Sequence, residues 1–137
     1  MTDFRVFPDS EYLAIQILKA DVSGAFGSYT PRIDTKLPAD PDWTKGVVQV
    51  QRVGGVPKQR RALDHANMQI DVWHETKKDA HNIAQLARVI LHRAEGKVYT
   101  TPVAVLTGVE DSLGLAWRFD TLNLKPRYMF GVYLSVH

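Results

Sequence analysis

Two histidines and a pair of adjacent acids are the side chains of this sequence whose types could support acid–base catalysis or metal binding. His74 and His81 are seven residues apart, and Glu75 follows the first of them. On a helix this spacing puts both imidazoles on one face but about two turns apart, too far to chelate one ion without a third ligand. Glu110 and Asp111 lack the spacing of a calcium loop and a second acid cluster. We therefore expect surface histidines and a solvated acidic turn, with no catalytic residue, no cofactor and no metal site.

The common motifs of catalysis and nucleotide binding are missing from the sequence. It contains no phosphate-binding P-loop, no G-x-G-x-x-G, no G-x-S-x-G and no H-E-x-x-H. A basic loop is the remaining charged candidate, because Lys58, Arg60 and Arg61 place three positive charges in four residues. Three charges give only modest, salt-sensitive attraction to phosphates. The loop is either solvated or turned toward a pore or a partner, and both alternatives stay open.

A row of polar side chains alternates with apolar ones between Asp64 and Trp73, the period of two expected for a half-buried strand. Asn67, Gln69 and Asp71 lie on the polar side, and Trp73 ends the same row. A large aromatic side chain on a polar strand face suits an interface anchor better than the surface of a monomer. These four residues are therefore candidates for a subunit or partner contact, and the solvated face of a sheet stays open as an equal alternative.

The strand that carries this row runs into a long amphipathic helix. Its opposite side is apolar and consists of Ala66, Met68, Ile70 and Val72. From Ala80 to Ala94 the apolar residues recur at helical spacing and cluster in an arc of roughly 160°. Gly96 follows as the expected left-handed residue after the last turn. Strand and helix therefore each present one face to a core.

A first helix is predicted at residues 9–20, with Asp9 or Ser10 accepting the free amides of its first turn. Its apolar arc covers more than half of the circumference, so one sheet surface would not cover it. We expect a second helix or another subunit to pack on it. Leu13 and Ile17 are accordingly candidate residues of a subunit or partner interface.

The remaining segments predict strands and turns. They are a short edge strand or extended arm within Pro31–Leu37, a strand at Gly46–Val53 that is ended by Gly54 and Gly55, strands at Thr101–Val109 and Leu115–Asp120 around a turn at Glu110–Gly114, and a strongly alternating last strand at Arg127–His137. This order predicts an α+β fold, with a mostly antiparallel or mixed sheet of about five to six strands and two helices on one face. We expect one domain over residues 1–137, with an extended Pro/Gly-rich arm or loop at about 21–45.

Composition excludes several classes of protein. A chain of 137 residues can bury a hydrophobic core that is stable without disulfide bonds or structural metal ions. The lack of cysteine excludes disulfides and thiolate metal sites. A net charge of +2 with 23% charged residues argues against a dedicated nucleic-acid binder. No apolar run approaches the roughly 20 residues that span a bilayer, and no signal pattern begins the chain. We expect a soluble protein without membrane contact.

Three of these segments carry a resemblance to a known family. The strand D-x-x-x-x-x-I-D-V-W at 64–73, the helix A-x-x-I-A-x-L-A-x-x-I-L at 80–91 and the pair Arg127-Tyr128 before an alternating last strand follow one another as in the tail terminator proteins of long-tailed siphophages. These are also called tail completion or minor tail proteins. The likeness covers about residues 9–137, and the chain most resembles those of phages that infect actinobacteria.

The resemblance implies a structural virion protein rather than an enzyme. Such proteins form a ring, usually of six subunits, that ends the tail tube at its head-proximal side and offers the surface to which the filled head docks. Its partners would be further copies of itself, the tail tube protein and head-tail connector or neck proteins, with genomic DNA passing the lumen at most transiently. It would be assembled in the host cytoplasm and reside in the virion tail or neck. The hairpin at 54–61 would be a contact or lumen loop.

Three other functions stay open at this point. One is a different neck component, such as a head-closure or adaptor protein. The second is a small enzyme or ligand-binding α+β domain that uses His74, His81 or the acids at 110–111, and the third is a DNA-binding module that depends on the basic loop. A closed ring would also solve a physical problem for a protein that binds copies of itself. Head-to-tail contacts that close give a finite cap, whereas contacts that do not close give a filament.

Overall fold

The computed structural model describes residues 7–20, 29–58, 63–100 and 103–137, without the side chains of residues 57 and 58. The elements are α1 (Ser10–Ala20), β1 (Arg32–Asp34), β2 (Val47–Lys58), β3 (Leu63–Trp73), α2 (Lys77–Arg93), β4 (Val98–Thr100), β5 (Val103–Asp120) and β6 (Lys125–Val136). The strands form one sheet in the order β1-β2-β3-β6-β5-β4, with β1 parallel to β2 and every other neighbouring pair antiparallel. The predicted α+β fold is confirmed.

The two strands with the clearest alternation, β3 and β6, lie side by side in the middle of the sheet. Their paired residues Met68 and Val132, and Ile70 and Phe130, are fully buried on one face. Both helices contribute to the same core on that face. The alternation arises because residues two apart on a strand share a side of the sheet. It therefore identified the core side of both strands correctly.

Helix α1 begins where the sequence predicts. The Asp9 carboxylate accepts hydrogen bonds from the backbone amides of Glu11 at 3.0 Å and Tyr12 at 3.2 Å, which caps the first turn. The wide apolar arc packs against α2, β1 and β2 of the same chain. Leu13 is fully buried and Ile17 is 3% exposed. The sequence left open whether a second helix or another subunit packs on α1, and in this fold the second helix, α2, does so.

Helix α2 begins three residues earlier than its apolar pattern indicates. Thr76 is the N-cap, and its hydroxyl accepts a hydrogen bond from the Asp79 amide at 3.2 Å. Along the helix the predicted apolar face is buried from Ala80 to Leu91, except that Leu86 is half-buried. Gly96 has a φ of +86°, the left-handed conformation expected after the last turn.

Two predicted strand ends are wrong. Strand β2 continues through Gly54 and Gly55, because a register shift between Arg52 and Gly54 forms a bulge that absorbs the extra residue without ending the pairing with β3. The turn predicted at 110–114 lies instead within the continuous strand β5, which pairs with β6 along nearly its whole length through three such irregularities. Cross-strand pairing thus overrides the local turn preference of polar residues and glycine.

The predicted arm and basic loop are described only in part. The edge strand expected within 31–37 is β1, and among the described strands its paired neighbour is β2. Residues 21–28 of the arm lie outside the described residues, as do Arg60 and Arg61 of the basic loop. The backbone of Lys58 ends β2 opposite Leu63, which confirms the hairpin between β2 and β3.

Candidate contact surfaces

The face of the sheet opposite the helices carries polar side chains, and we call it the open face. Directly paired residues of antiparallel strands point to the same side, so the register defines its members. They are Val47, Gln49 and Gln51 of β2, His65, Asn67, Gln69, Asp71 and Trp73 of β3, and Arg127, Met129, Gly131, Tyr133 and Ser135 of β6. The polar row predicted as a subunit contact therefore lies on this face.

A buried ion pair lies on the open face. The Asp71 side chain is only 1% exposed and accepts hydrogen bonds from Nε of Arg127 at 3.0 Å and Nη2 at 2.8 Å. Its other oxygen accepts one from the Gln69 amide at 3.0 Å. A carboxylate removed from water needs such partners, because an unpaired buried charge is costly. Asp71 is therefore satisfied within its own chain.

Trp73 is also bound within the chain. Its indole N–H donates to Asp120 Oδ2 at 2.8 Å, the Arg127 guanidinium lies 5.2 Å from the ring centroid, and 3% of the residue is exposed. Like Leu13 and Ile17, Trp73 and Asp71 have intramolecular packing partners. Asn67 and Gln69 are the half-buried members of the predicted interface that a partner could contact.

Asn67 is tied to β5 across an intervening strand. The Ser112 hydroxyl donates to Asn67 Oδ1 at 2.9 Å, although β6 lies between β5 and β3. Gly131 of β6 permits this, since a Cβ there would overlap the Ser112 hydroxyl. Asn67, Gln69 and Tyr133 line a shallow depression of about 150 Å³ beside it. Val53 and Leu113 line it as well, so the open face offers a small recess of mixed polar and apolar character.

Asp120 holds the turn between β5 and β6. Its Oδ1 accepts hydrogen bonds from the backbone amides of Leu122 at 2.9 Å and Asn123 at 3.2 Å, and its Oδ2 accepts from the Asn123 side chain at 2.6 Å and from Trp73. Burial alone would raise the pKa of Asp120, but these hydrogen bonds together lower it below its ordinary value. The ionised form therefore stabilises both the turn and its attachment to β3.

Acid should weaken this attachment. Because the pKa of Asp120 is depressed in the folded state, its contribution is present above the unfolded value of about 3.9 and is lost as pH falls through the folded value. Asp120→Asn should lower the free energy of unfolding by about 1 kcal/mol at pH 7, with a smaller difference from wild type below about pH 4. Urea unfolding from pH 7 to pH 2 measures this, with exposed Asp40→Asn as the control. A difference that does not change with pH would contradict it.

The two acids are exposed as predicted but lie within strand β5 rather than in a turn, and Asp111 forms a cross-link between β5 and α2. Its Oδ1 accepts from Nε of Arg88 at 3.1 Å and contacts His92 Nε2 at 2.9 Å, while Oδ2 contacts Arg88 Nη2. The hydrogen bond from Arg88 is the main cause of the lowered pKa of Asp111. Glu110 is exposed. The two acids therefore do not act as a pair.

The two candidate histidines lie in different surroundings. His74 is 6% exposed, with Nδ1 3.7 Å from Asp79 Oδ2, so the prediction of a surface position is wrong for it. His81 is half-buried, and its ring meets that of Tyr128 edge-on at 5.2 Å. Among the described residues, no group of three or more metal-binding side chains is close enough to hold an ion.

Exposed apolar side chains at the β5–β6 turn were missed by the sequence analysis. Leu122 is 88% exposed, Leu124 68% and Phe119 50%. The signal was present in the sequence, since two leucines in a short connection between strands have no strand face to occupy. We call these three residues the apolar tip.

These surfaces define a class before any comparison. Over the described residues the chain is an α+β protein with a sheet covered by helices on one face, whose polar groups pair with each other rather than converge on a reaction site. No helix in this part of the chain is long and apolar enough to cross a bilayer.

The family model described as "Phage tail termination protein" matches residues 6–115, and the chain belongs to this family. It is therefore a structural protein of the virion tail that associates with the tail tube, and the prediction of a non-enzymatic role is confirmed. No curated protein matches the chain.

Proposed function

We propose that this protein forms a ring of six subunits at the head-proximal end of the tail tube, where it stops tube polymerisation and provides the surface on which the filled head docks. The match to the tail termination family over residues 6–115 is the observation that carries the proposal. Ring formation, the subunit number and head joining go beyond the family description. An actinobacterial host and assembly in the host cytoplasm are part of the same proposal.

The surfaces support a role in assembly. The open face keeps half-buried polar residues such as Asn67 and Gln69 beside a shallow recess, which suits a polar contact with a neighbouring subunit or the tube. The hairpin that leads to the basic loop at 58–61 is the proposed lumen or partner loop. It would meet DNA only during passage, since three charges give weak, salt-dependent attraction. The proposed partners are the tube protein and the connector or neck proteins.

The remaining expectations on organisation belong to this proposal. We treat residues 1–137 as one terminator domain, and the segment at 21–45 as an arm whose described part, from residue 29 onward, includes the edge strand β1. An edge strand of three residues leaves most of β2 without a neighbour on that side over the described residues. The free edge of β2 beside the described part of the arm is therefore where a partner strand could extend the sheet.

Tail length tests the proposed function. A phage that lacks this chain should make tubes with a broad, overlong distribution of lengths in negative-stain electron micrographs, because nothing ends polymerisation. Adding the purified protein to growing tubes should restore a narrow distribution. Normal tubes together with filled heads that leak DNA would instead identify a head-closure protein and contradict tube termination.

A further inference from the structure

The most exposed large apolar side chains of the described residues occur in two places. Leu122 at 88% and Leu124 at 68% belong to the apolar tip, while Val103 at 80% and Val98 at 71% lie at the β4–β5 corner. Exposed apolar side chains that cluster, rather than scatter singly, mark contact sites. The chain therefore has two such candidates.

The apolar tip is held in one conformation. Asp120 accepts two backbone and two side-chain hydrogen bonds that fix the turn. Leu124 has a φ of +55°, and it is the one residue other than glycine with a positive φ in the described part of the chain. This left-handed conformation is unfavourable for a residue that carries a Cβ. A strained leucine that is kept exposed on a fixed turn indicates a contact that uses its side chain.

The β4–β5 corner forms a depression, whereas the apolar tip is a projecting turn. Phe7 and Pro8 join Val98 and Val103 around a cavity of about 330 Å³, which we call the corner pocket. That volume is at the lower end of the roughly 300–1,000 Å³ of small-molecule sites. Its apolar walls and size suit one or two leucine side chains.

The tip and the corner pocket of one molecule cannot meet. Val103 begins β5 and Asp120 ends it, so the two features lie at opposite ends of an 18-residue strand. The part of β5 that pairs with β6 lies opposite Lys125–Val136, so at about 3.3 Å per residue the two features are separated by on the order of 40 Å of strand. If this apolar projection fills this pocket, it can do so only between two copies of the chain. Contacts of this kind are head-to-tail and form a ring when the rotation closes.

We propose that the apolar tip of one subunit inserts into the corner pocket of the next, with Leu122 and Leu124 as the inserted side chains. This inference rests on the proposed ring and names one of its contacts. The tip alone is smaller than the roughly 800 Å² per partner of a stable interface, so it sets the register of the ring while other surfaces add area.

Cysteine cross-linking tests the contact, because the chain contains no cysteine. Leu122→Cys protein is mixed with Val103→Cys protein, oxidised with and without tail tubes, and run on a denaturing gel. We expect at least about tenfold more heterodimer than from Leu122→Cys mixed with Val89→Cys, since a docked pair raises the effective thiol concentration to the millimolar range. Val89 is exposed on α2 and does not line the corner pocket, so it serves as the matched control.

The double variant Leu122→Cys/Val103→Cys should give a ladder of cross-linked species that ends at the size of the ring. Heterodimer at the level of the Val89→Cys control, both with and without tubes, would overturn the contact.

Tube capping by the wild-type protein is scored separately by electron microscopy. Capping without cross-linking refutes the contact alone, whereas cross-linking without capping refutes tube termination and leaves the contact standing.

Discussion

Replacement of Arg127 by alanine should lower the free energy of unfolding by about 3 kcal/mol, which is the lower end of the loss from breaking a buried ion pair. The variant leaves the Asp71 carboxylate, 1% exposed, with only the Gln69 amide as partner. We expect the smaller loss in free energy because the Arg127 side chain is 29% exposed, so some water can reach the ion pair. The same change also removes the cation beside Trp73. Urea unfolding measures the loss, which corresponds to a fall in Tm on the order of 10 °C.

Arg118→Ala is the matched control for this variant. Arg118 is paired with Arg127 across β5 and β6 but is exposed, so its removal should change the free energy of unfolding by no more than about 0.5 kcal/mol. In the double variant Asp71→Ala/Arg127→Ala the loss should be smaller than the sum of the single losses, because no unpaired charge is left. Equal stability of Arg127→Ala and Arg118→Ala would show that the buried pair contributes little.

Gly55→Ala should destabilise the protein by about 2 kcal/mol, because it combines a positive φ with a backbone overlap. The φ of Gly55 is +98°, and a Cβ there would overlap the carbonyl oxygen of His65 and lie 2.8 Å from the amide nitrogen of Asn67. Backbone atoms of a paired strand cannot move away as a flexible side chain can. The paired strands at the end of the β2–β3 hairpin would therefore separate.

The neighbouring glycine provides the control. No atom lies within 4 Å of a Cβ built at Gly54, whose φ is not positive, so Gly54→Ala should be neutral or stabilise slightly. Thermal unfolding compares the two variants, and hydrogen exchange at residues 63–67 reports whether the hairpin end has opened. A Gly55→Ala protein as stable as Gly54→Ala would mean that the bulge rearranges without cost.

The sequence predicted best the elements whose information is local. Helix α2 and the core sides of β3 and β6 follow from periods of 3.6 and 2 residues, and the cap at Asp9 follows from side-chain chemistry within three residues. The resemblance carried by 64–73 and 80–91 led to the correct family for the same reason, since those motifs record a strand and a helix in direct succession. Asn67 and Gln69 lie on the open face as the alternation required.

The candidate site could be predicted only in part, because its contacts join residues far apart in the chain. Asp71 and Trp73 are buried by Arg127 and Asp120, which lie 56 and 47 residues away, and no local pattern contains that information. Leu13 and Ile17 look unpartnered until α2 folds over them.

By itself the sequence determined the secondary-structure periods, the α+β class and the absence of thiol chemistry, since each depends on residue types or on spacings of a few positions. The tertiary structure alone decided that β2 passes through its glycines, that β5 is continuous, and that exposed leucines and an apolar pocket occupy opposite ends of it. These features arise from pairing between strands, where hydrogen bonds to a distant neighbour outweigh local turn preferences.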